Sequence, residues 1–337
     1  MILKYQKDFK PWFINQLLIK HSFNTINMQN HNIDKLIYKA QTIGNIEPIE
    51  YMTPYPSTQA LIEGQNIKYG KHIVYNDYNI SNYDFYELIQ QTAHWLKKQN
   101  IRPKDNVIIQ ELKFPQTQLL LFGIWHLGAV GVILENKNFN IDKSLPIKSV
   151  PETNNLFEEV SSYPKRYNPE DKALLRDIAI LIINNKKTIS LSHYSLLINT
   201  NSIQKSLNLK AGEKVFCNLK PISSSWVIFS ALLPIYAGLS FTKIKPDVII
   251  TFDTINKKDG FQLRSDWENF IDFKSHHIGI CSENTAAFCV GKEAIHLTQF
   301  DIKNQEIWIK GHSVMNGYLN KIQDQSSFDN DYMIIKK

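Results

Sequence analysis

The chain has 337 residues, 38 Lys and Arg against 32 Asp and Glu, and a formal net charge of +6. That length suits two domains, or one large domain of several subdomains. The charges alternate in sign with no dense basic block, which argues against nucleic-acid binding, and Cys217, Cys281 and Cys289 fit no metal spacing and point to a reducing compartment.

The N-terminal stretch MILKYQKDFKPWF lacks the apolar core of a signal peptide. Within residues 1–60, INQLLIKHSF and IDKLIYKAQ read as amphipathic helices, and Tyr51 to Ser57, with two prolines, reads as a loop. From Tyr75 the pattern sharpens. YDFYELIQQTAHWLKKQ places Phe85, Leu88, Ile89, Ala93 and Leu96 on one helical face. IRPKDNVIIQ turns through Pro103 into a strand at Val107 to Ile109. PQTQLLLFGIWHLGA is a helix with Pro115 in its first turn and Gly128 as its stop, and VGVIL is the next strand. Strand, helix and strand in that order predict a parallel α/β unit.

The unit recurs. Ile178 to Ile183 is a buried strand, and a helix capped by Ser192 runs to Ser206. Between them lies Asn184-Asn185-Lys186-Lys187-Thr188, which has no glycine. KVFCNL is a strand, SSSWVIFSALLPIYAG a helix, DVIITFD and HIGICS two strands, and EIWIKGHSVMNGYL a β-ribbon ending in a glycine-containing turn. The longest apolar stretch, Trp226 to Leu239, is too short to span a bilayer and contains Ser230 and Pro234. A cytoplasmic protein without a membrane span is expected.

Six segments, in order over roughly residues 75–330, resemble motifs of one family. YDFYELIQQTAHWLKKQNIRPKDNVII is similar to an opening helix with a GV-x-P-G-D-x-V turn, and LLLFGIWHLGAVGVIL to the helix and strand that follow it. DIAILIINNKKTISLSHYSLL is similar to a strand, a T-S-G-T-T-G-x-P-K-G loop and an L-S-H helix. AGEKVFCNLKPISSSWVIFSALLPIYAGLSF resembles an L-P-L-x-H helix segment, GICSE resembles Y-G-x-T-E, and QEIWIKGHSVMNGYLN resembles G-E-I-x-V-x-G-x-x-V-M-x-G-Y. The family is the adenylate-forming, or AMP-binding, superfamily: acyl-CoA synthetases, peptide-synthetase adenylation domains and luciferases.

The resemblance implies an α/β fold of mostly parallel sheets with flanking helices. Two similar subdomains would occupy 1–175 and a shortened 176–275, with a last strand and β-ribbon over 276–337. It further implies a reaction in which a carboxylate attacks the α-phosphate of ATP, with Mg²⁺ neutralising the phosphates. Against the family pattern, the G-T-T-G of the phosphate loop is missing, and Lys186, Lys187 and Thr188 are what remains of it. Such loops use glycine so that backbone N–H groups can approach phosphate. Ser224 falls where the family has a His that positions the acyl carboxylate, and Trp226 would line the acyl pocket. Ser282 and Glu283 match the T-E whose Glu holds Mg²⁺, and Tyr318 closes the V-M-x-G-Y match. No T-G-D follows Phe328 and Tyr332, so the ribose-binding Asp and the small C-terminal catalytic domain are expected to be absent.

Two readings follow. One is a degenerate adenylation core with no cofactor. It would serve as an accessory, scaffold or acyl-binding protein whose partner is an active homologue or an acyl carrier protein. The other is an active carboxylate–AMP ligase, binding ATP or AMP with Mg²⁺ at Lys186, Lys187, Thr188, Ser282, Glu283 and Tyr318. A third, a Ser192–His193 nucleophile and base, fails because adjacent helical residues point in different directions.

Overall fold

A computed structural model describes residues 32–51, 53–135, 145–184, 187–319, 327–329 and 331–336. The segment INQLLIKHSF lies outside them.

Helix α1 covers 32–41. Helix α2, Thr58–Tyr69, is capped by the Ser57 side chain, which accepts from the Ala60 N–H. Strands β1 (Ile73–Tyr75) and β2 (Ile80–Ser81) pair antiparallel. Helix α3, Asn82–Lys98, starts with a capping box in which Ser81 and Asp84 satisfy each other's backbone N–H groups. Strand β3 (Asn106–Ile108) leads to α4, Gln116–Leu127, whose every residue is buried. A helix buried on all sides lies between layers rather than on the surface. Gly128 ends it in the left-handed conformation, φ +87°. Then come β4 (Val130–Leu134), β5 (Ile147–Lys148), α5 (Leu156–Val160), β6 (Ile178–Ile183), β7 (Thr188–Ser192) and α6 (His193–Ser206).

The second half holds β8 (Lys214–Cys217), a π-helical stretch Trp226–Leu232 running into α7 (Leu233–Ala237), β9 (Ser240–Phe241) and β10 (Val248–Thr251). Next are β11 (Gly260–Arg264), β12 (His277–Ile280), β13 (Ala287–Val290), β14 (Glu293–Ala294), β15 (Thr298–Lys303) and β16 (Glu306–Gly311). Last come β17 (Gly317–Tyr318), β18 (Phe328–Asp329) and β19 (Tyr332–Ile335).

Three sheets form among the described residues. One has the order β17-β7-β6-β4-β3-β5, with β3, β4, β5 and β6 parallel. The largest has the order β14-β13-β12-β11-β10-β8-β9-β1-β2, with a parallel centre from β12 to β1. The third, β15-β16-β19-β18, is antiparallel. The first two interleave along the chain, since β1 and β2 precede β3 in sequence yet belong to the largest sheet. One apolar cluster joins α2, α3 and α4 to strands of both large sheets, with Trp125, Phe122, Phe229 and Phe241 deep inside it.

Two local expectations change. The segment after the glycine-free loop is not a direct run into helix: Thr188–Ser192 forms β7, antiparallel to β6. Its sequence, TISLS, alternates polar and apolar residues with the period of a strand, and in the fold both its faces are buried. The apolar helix after Ser225 is π-wound over Trp226–Leu232 before α7 begins at Leu233.

One crossover is unusually short. Strands β10 and β11 are parallel neighbours, yet only residues 252–259 connect them, without a helix. Parallel neighbours usually need a dozen or more residues. Gly260 permits the tight entry into β11: its φ is +154°, and a Cβ there would lie 2.0 Å from the Ile249 carbonyl oxygen.

Candidate functional site

The site forms where the β6–β7 hairpin meets the carboxyl end of β12. A turn over Ser282–Asn284 follows β12 directly. Asn199 on α6 holds this turn: its side-chain amide donates to the Asn284 and Ala287 carbonyls (3.1 and 2.9 Å), and its oxygen accepts from the Ala287 N–H (3.2 Å). Strand β17 adds to the free edge of β7, pairing Tyr318 with Ile189. The Met315 N–H donates to the Glu283 carbonyl at 2.8 Å. Three distant segments therefore converge on Glu283.

The Glu283 side chain is 5% exposed and makes an ion pair with Lys187, itself 25% exposed. The Tyr318 hydroxyl donates to the same carboxylate oxygen, Oε1, at 3.1 Å. The Lys187 ammonium lies 5.4 Å from the centre of the Tyr318 ring. The other oxygen, Oε2, accepts from the Cys281 thiol at 3.6 Å. Burial, with the Glu283 charge beside it, pushes that thiol well above its ordinary range, so it stays protonated and acts as a donor rather than a nucleophile. Lys187 is fixed at its backbone too, its N–H donating to Asn184 Oδ1 at 2.9 Å.

The structure brings Lys187, Glu283 and Tyr318 together, and joins Ser282 to Ser224 through a 3.2 Å hydroxyl hydrogen bond. Thr188 stands apart as the first residue of β7, paired with Ile183. Trp226 is 2% exposed within the apolar cluster. Lys186 lies outside the described residues. Glu135 is a residue that sequence reasoning missed. Burial raises its carboxyl above the usual range; an Asn184 hydrogen bond opposes that shift, and the Glu283 charge adds to it. Glu135 reaches the site because β4 pairs with β6, with Leu134 opposite Ile183. Strand order, not local sequence, carries that information.

The Lys187 ammonium already balances the Glu283 charge, so a magnesium ion bound there would have to displace it. A magnesium ion needs carboxylate oxygen free for coordination. Both oxygens of Glu283 already accept from Lys187, Tyr318 and Cys281. The chain's own ammonium supplies the positive charge there.

No protein-family model and no curated protein matches the sequence. Solved structures do match. The inhibitor-bound N-terminal domain of FACL13 from Mycobacterium tuberculosis is similar at 10% identity and a TM-score of 0.66, over 83% of this chain and 95% of that one. O-succinylbenzoate coenzyme A synthetase (MenE) from Bacillus subtilis is similar at 12% identity and a TM-score of 0.66, over 81% of this chain and 75% of that one. NpsA-ThdA from Klebsiella oxytoca, an artificially fused adenylation-PCP di-domain, is similar at 10% identity and a TM-score of 0.60, over 84% and 70%. The fold is that of the N-terminal domain of adenylate-forming enzymes. The expected α/β architecture of that domain is thus present. Within this adenylation fold, the Lys187–Glu283–Tyr318 cluster lies on the three segments that carry the phosphate-loop, T-E and G-Y resemblances.

Proposed function

We propose that this chain is an adenylation-fold protein that does not form acyl adenylates and acts as an accessory or acyl-binding partner in a carrier-protein pathway. The observation that carries the reading is the Lys187–Glu283–Tyr318 cluster, in which the chain's own groups occupy the carboxylate a magnesium ion would need. The absence of glycine from Asn184 to Thr188 supports it, because a backbone cradle for phosphate requires that freedom. Fold does not carry function without its site. Likeness to an adenylation-PCP di-domain motivates the carrier-protein partner.

The competing reading is a carboxylate–AMP ligase with a rebuilt site. It draws on Lys187, whose partly exposed ammonium could turn from Glu283 to a phosphate. ATP–pyrophosphate exchange with a panel of carboxylic acids separates the two. The proposal expects no exchange above background. Exchange that depends on a carboxylate overturns it. An affinity capture that recovers no acyl-pathway protein counts against the partner role.

A further inference from the structure

A second candidate site lies away from Glu283, on the face of the largest sheet. Strands β10, β11 and β12 are consecutive parallel neighbours, so right-handed connections put residues 252–259 and 265–276 on the same face. The first connection has no helix and the second only the 3-10 turn Trp267–Asp272, and a groove of about 720 Å³ remains between them. Its floor is Gln262, Arg264 and His277, and its walls include Phe252, Lys257 and Lys274.

The polar groups of this groove are unequally satisfied. Arg264 makes a two-pronged ion pair with Asp266, its Nε donating to Oδ1 at 2.8 Å, so that pair is neutral. A third guanidinium nitrogen donates to His277 Nδ1 at 3.3 Å, and the Lys274 N–H donates to the same nitrogen at 3.1 Å. Both partners can only donate, so Nδ1 accepts and the ring proton sits on Nε2. His277 is 5% exposed and lines the groove, and its Nε2–H has no hydrogen-bond partner among the described residues. Lys257 and Lys274 have no ion-pair partner among the described residues, and they outnumber the remaining carboxylate of the lining, Asp272. Phe252 is an exposed aromatic at the rim, 47% accessible.

We propose that this groove binds a phosphate monoester carrying a flat ring. Lys257, Lys274 and the Nε2–H of His277 hold the phosphate, and Phe252 packs against the ring. A fixed neutral donor beside two mobile ammonium groups suits an anion with several acceptor oxygens. An aromatic rim suits a ring better than a free ion. The groove and the Glu283 cluster share no residue: His277 begins β12, and Glu283 lies in the turn beyond its other end.

The test is calorimetric titration of the full chain with phenyl phosphate and, separately, inorganic phosphate. Saturable binding is expected, tighter for phenyl phosphate, and Phe252→Ala removes that preference. Lys257→Ala combined with Lys274→Ala, both at exposed positions, weakens binding about tenfold or more, as the loss of two charges near an anion requires. A Lys187→Met/Glu283→Gln double variant binds as the parent does. Absence of saturation up to about 10 mM, which corresponds to only a few kcal/mol, overturns the proposal. So does binding unchanged by the paired lysine substitutions, or lost in the Lys187→Met/Glu283→Gln variant.

Discussion

Glu283 is a buried carboxylate whose charge is balanced by one ammonium. Replacing Lys187 with Met strands that charge at a site 5% exposed, and unfolding in denaturant should show a loss of about 3–5 kcal/mol. The Lys187→Met/Glu283→Gln double variant should recover most of it, since the uncompensated charge is gone. A double variant no more stable than Lys187→Met would mean the pair is not coupled. Histidines give a second residue-level prediction. Burial pushes His126 and His193 down to about 4, against an ordinary value near 6.5 in the unfolded chain. Between those values the unfolded state binds more protons, so stability is present above about 6.5 and is lost as pH falls towards about 4. At about pH 5 each histidine should cost about 2 kcal/mol relative to neutral pH, measured by urea unfolding at both values. His193→Gln should flatten that dependence by its share. Lys187, Glu283 and Tyr318 were legible as candidates because the motif resemblance marks each one. Glu135 was not, because it joins them only through strand pairing.

At the scale of elements, α6 does more than cover a sheet. Asn199 fixes the turn that presents Glu283 through three hydrogen bonds. Asn199→Ala leaves two buried carbonyls and one N–H without that partner and should cost about 2–4 kcal/mol. Thermal unfolding checks the loss. Regular elements could be read from the sequence where their apolar period was long: α3, α4, β6 and α6 fall where the pattern puts them. Strand β7 was missed because its five residues run straight into the α6 cap at Ser192. The two-residue strands β2, β5, β9, β14 and β18 had no signal, whereas β17 falls inside the segment read as a β-ribbon. Some pair with an adjacent strand, as β14 does with β13 and β18 with β19, and others with strands distant in sequence, as β9 does with β1; two residues are too few to show a period in either case.

Across the whole molecule, an adenylation fold persists at 10–12% identity to FACL13 and MenE. What persists is the apolar pattern of the strands and helices, which a wide range of side chains can satisfy. Chemistry on such a fold is decided by its connections and single polar groups rather than by that pattern. Among the described residues, no helix is long and apolar enough to cross a membrane. Lys187 is the cation paired with the buried Glu283 carboxylate, and the proposed loss of nucleotide binding follows from that pairing. The most direct measurement is calorimetric titration of the purified chain with ATP and Mg²⁺. No heat at millimolar ATP is the predicted result. Micromolar binding that disappears in the Lys187→Met/Glu283→Gln double variant would contradict the account and place a working nucleotide site at Glu283.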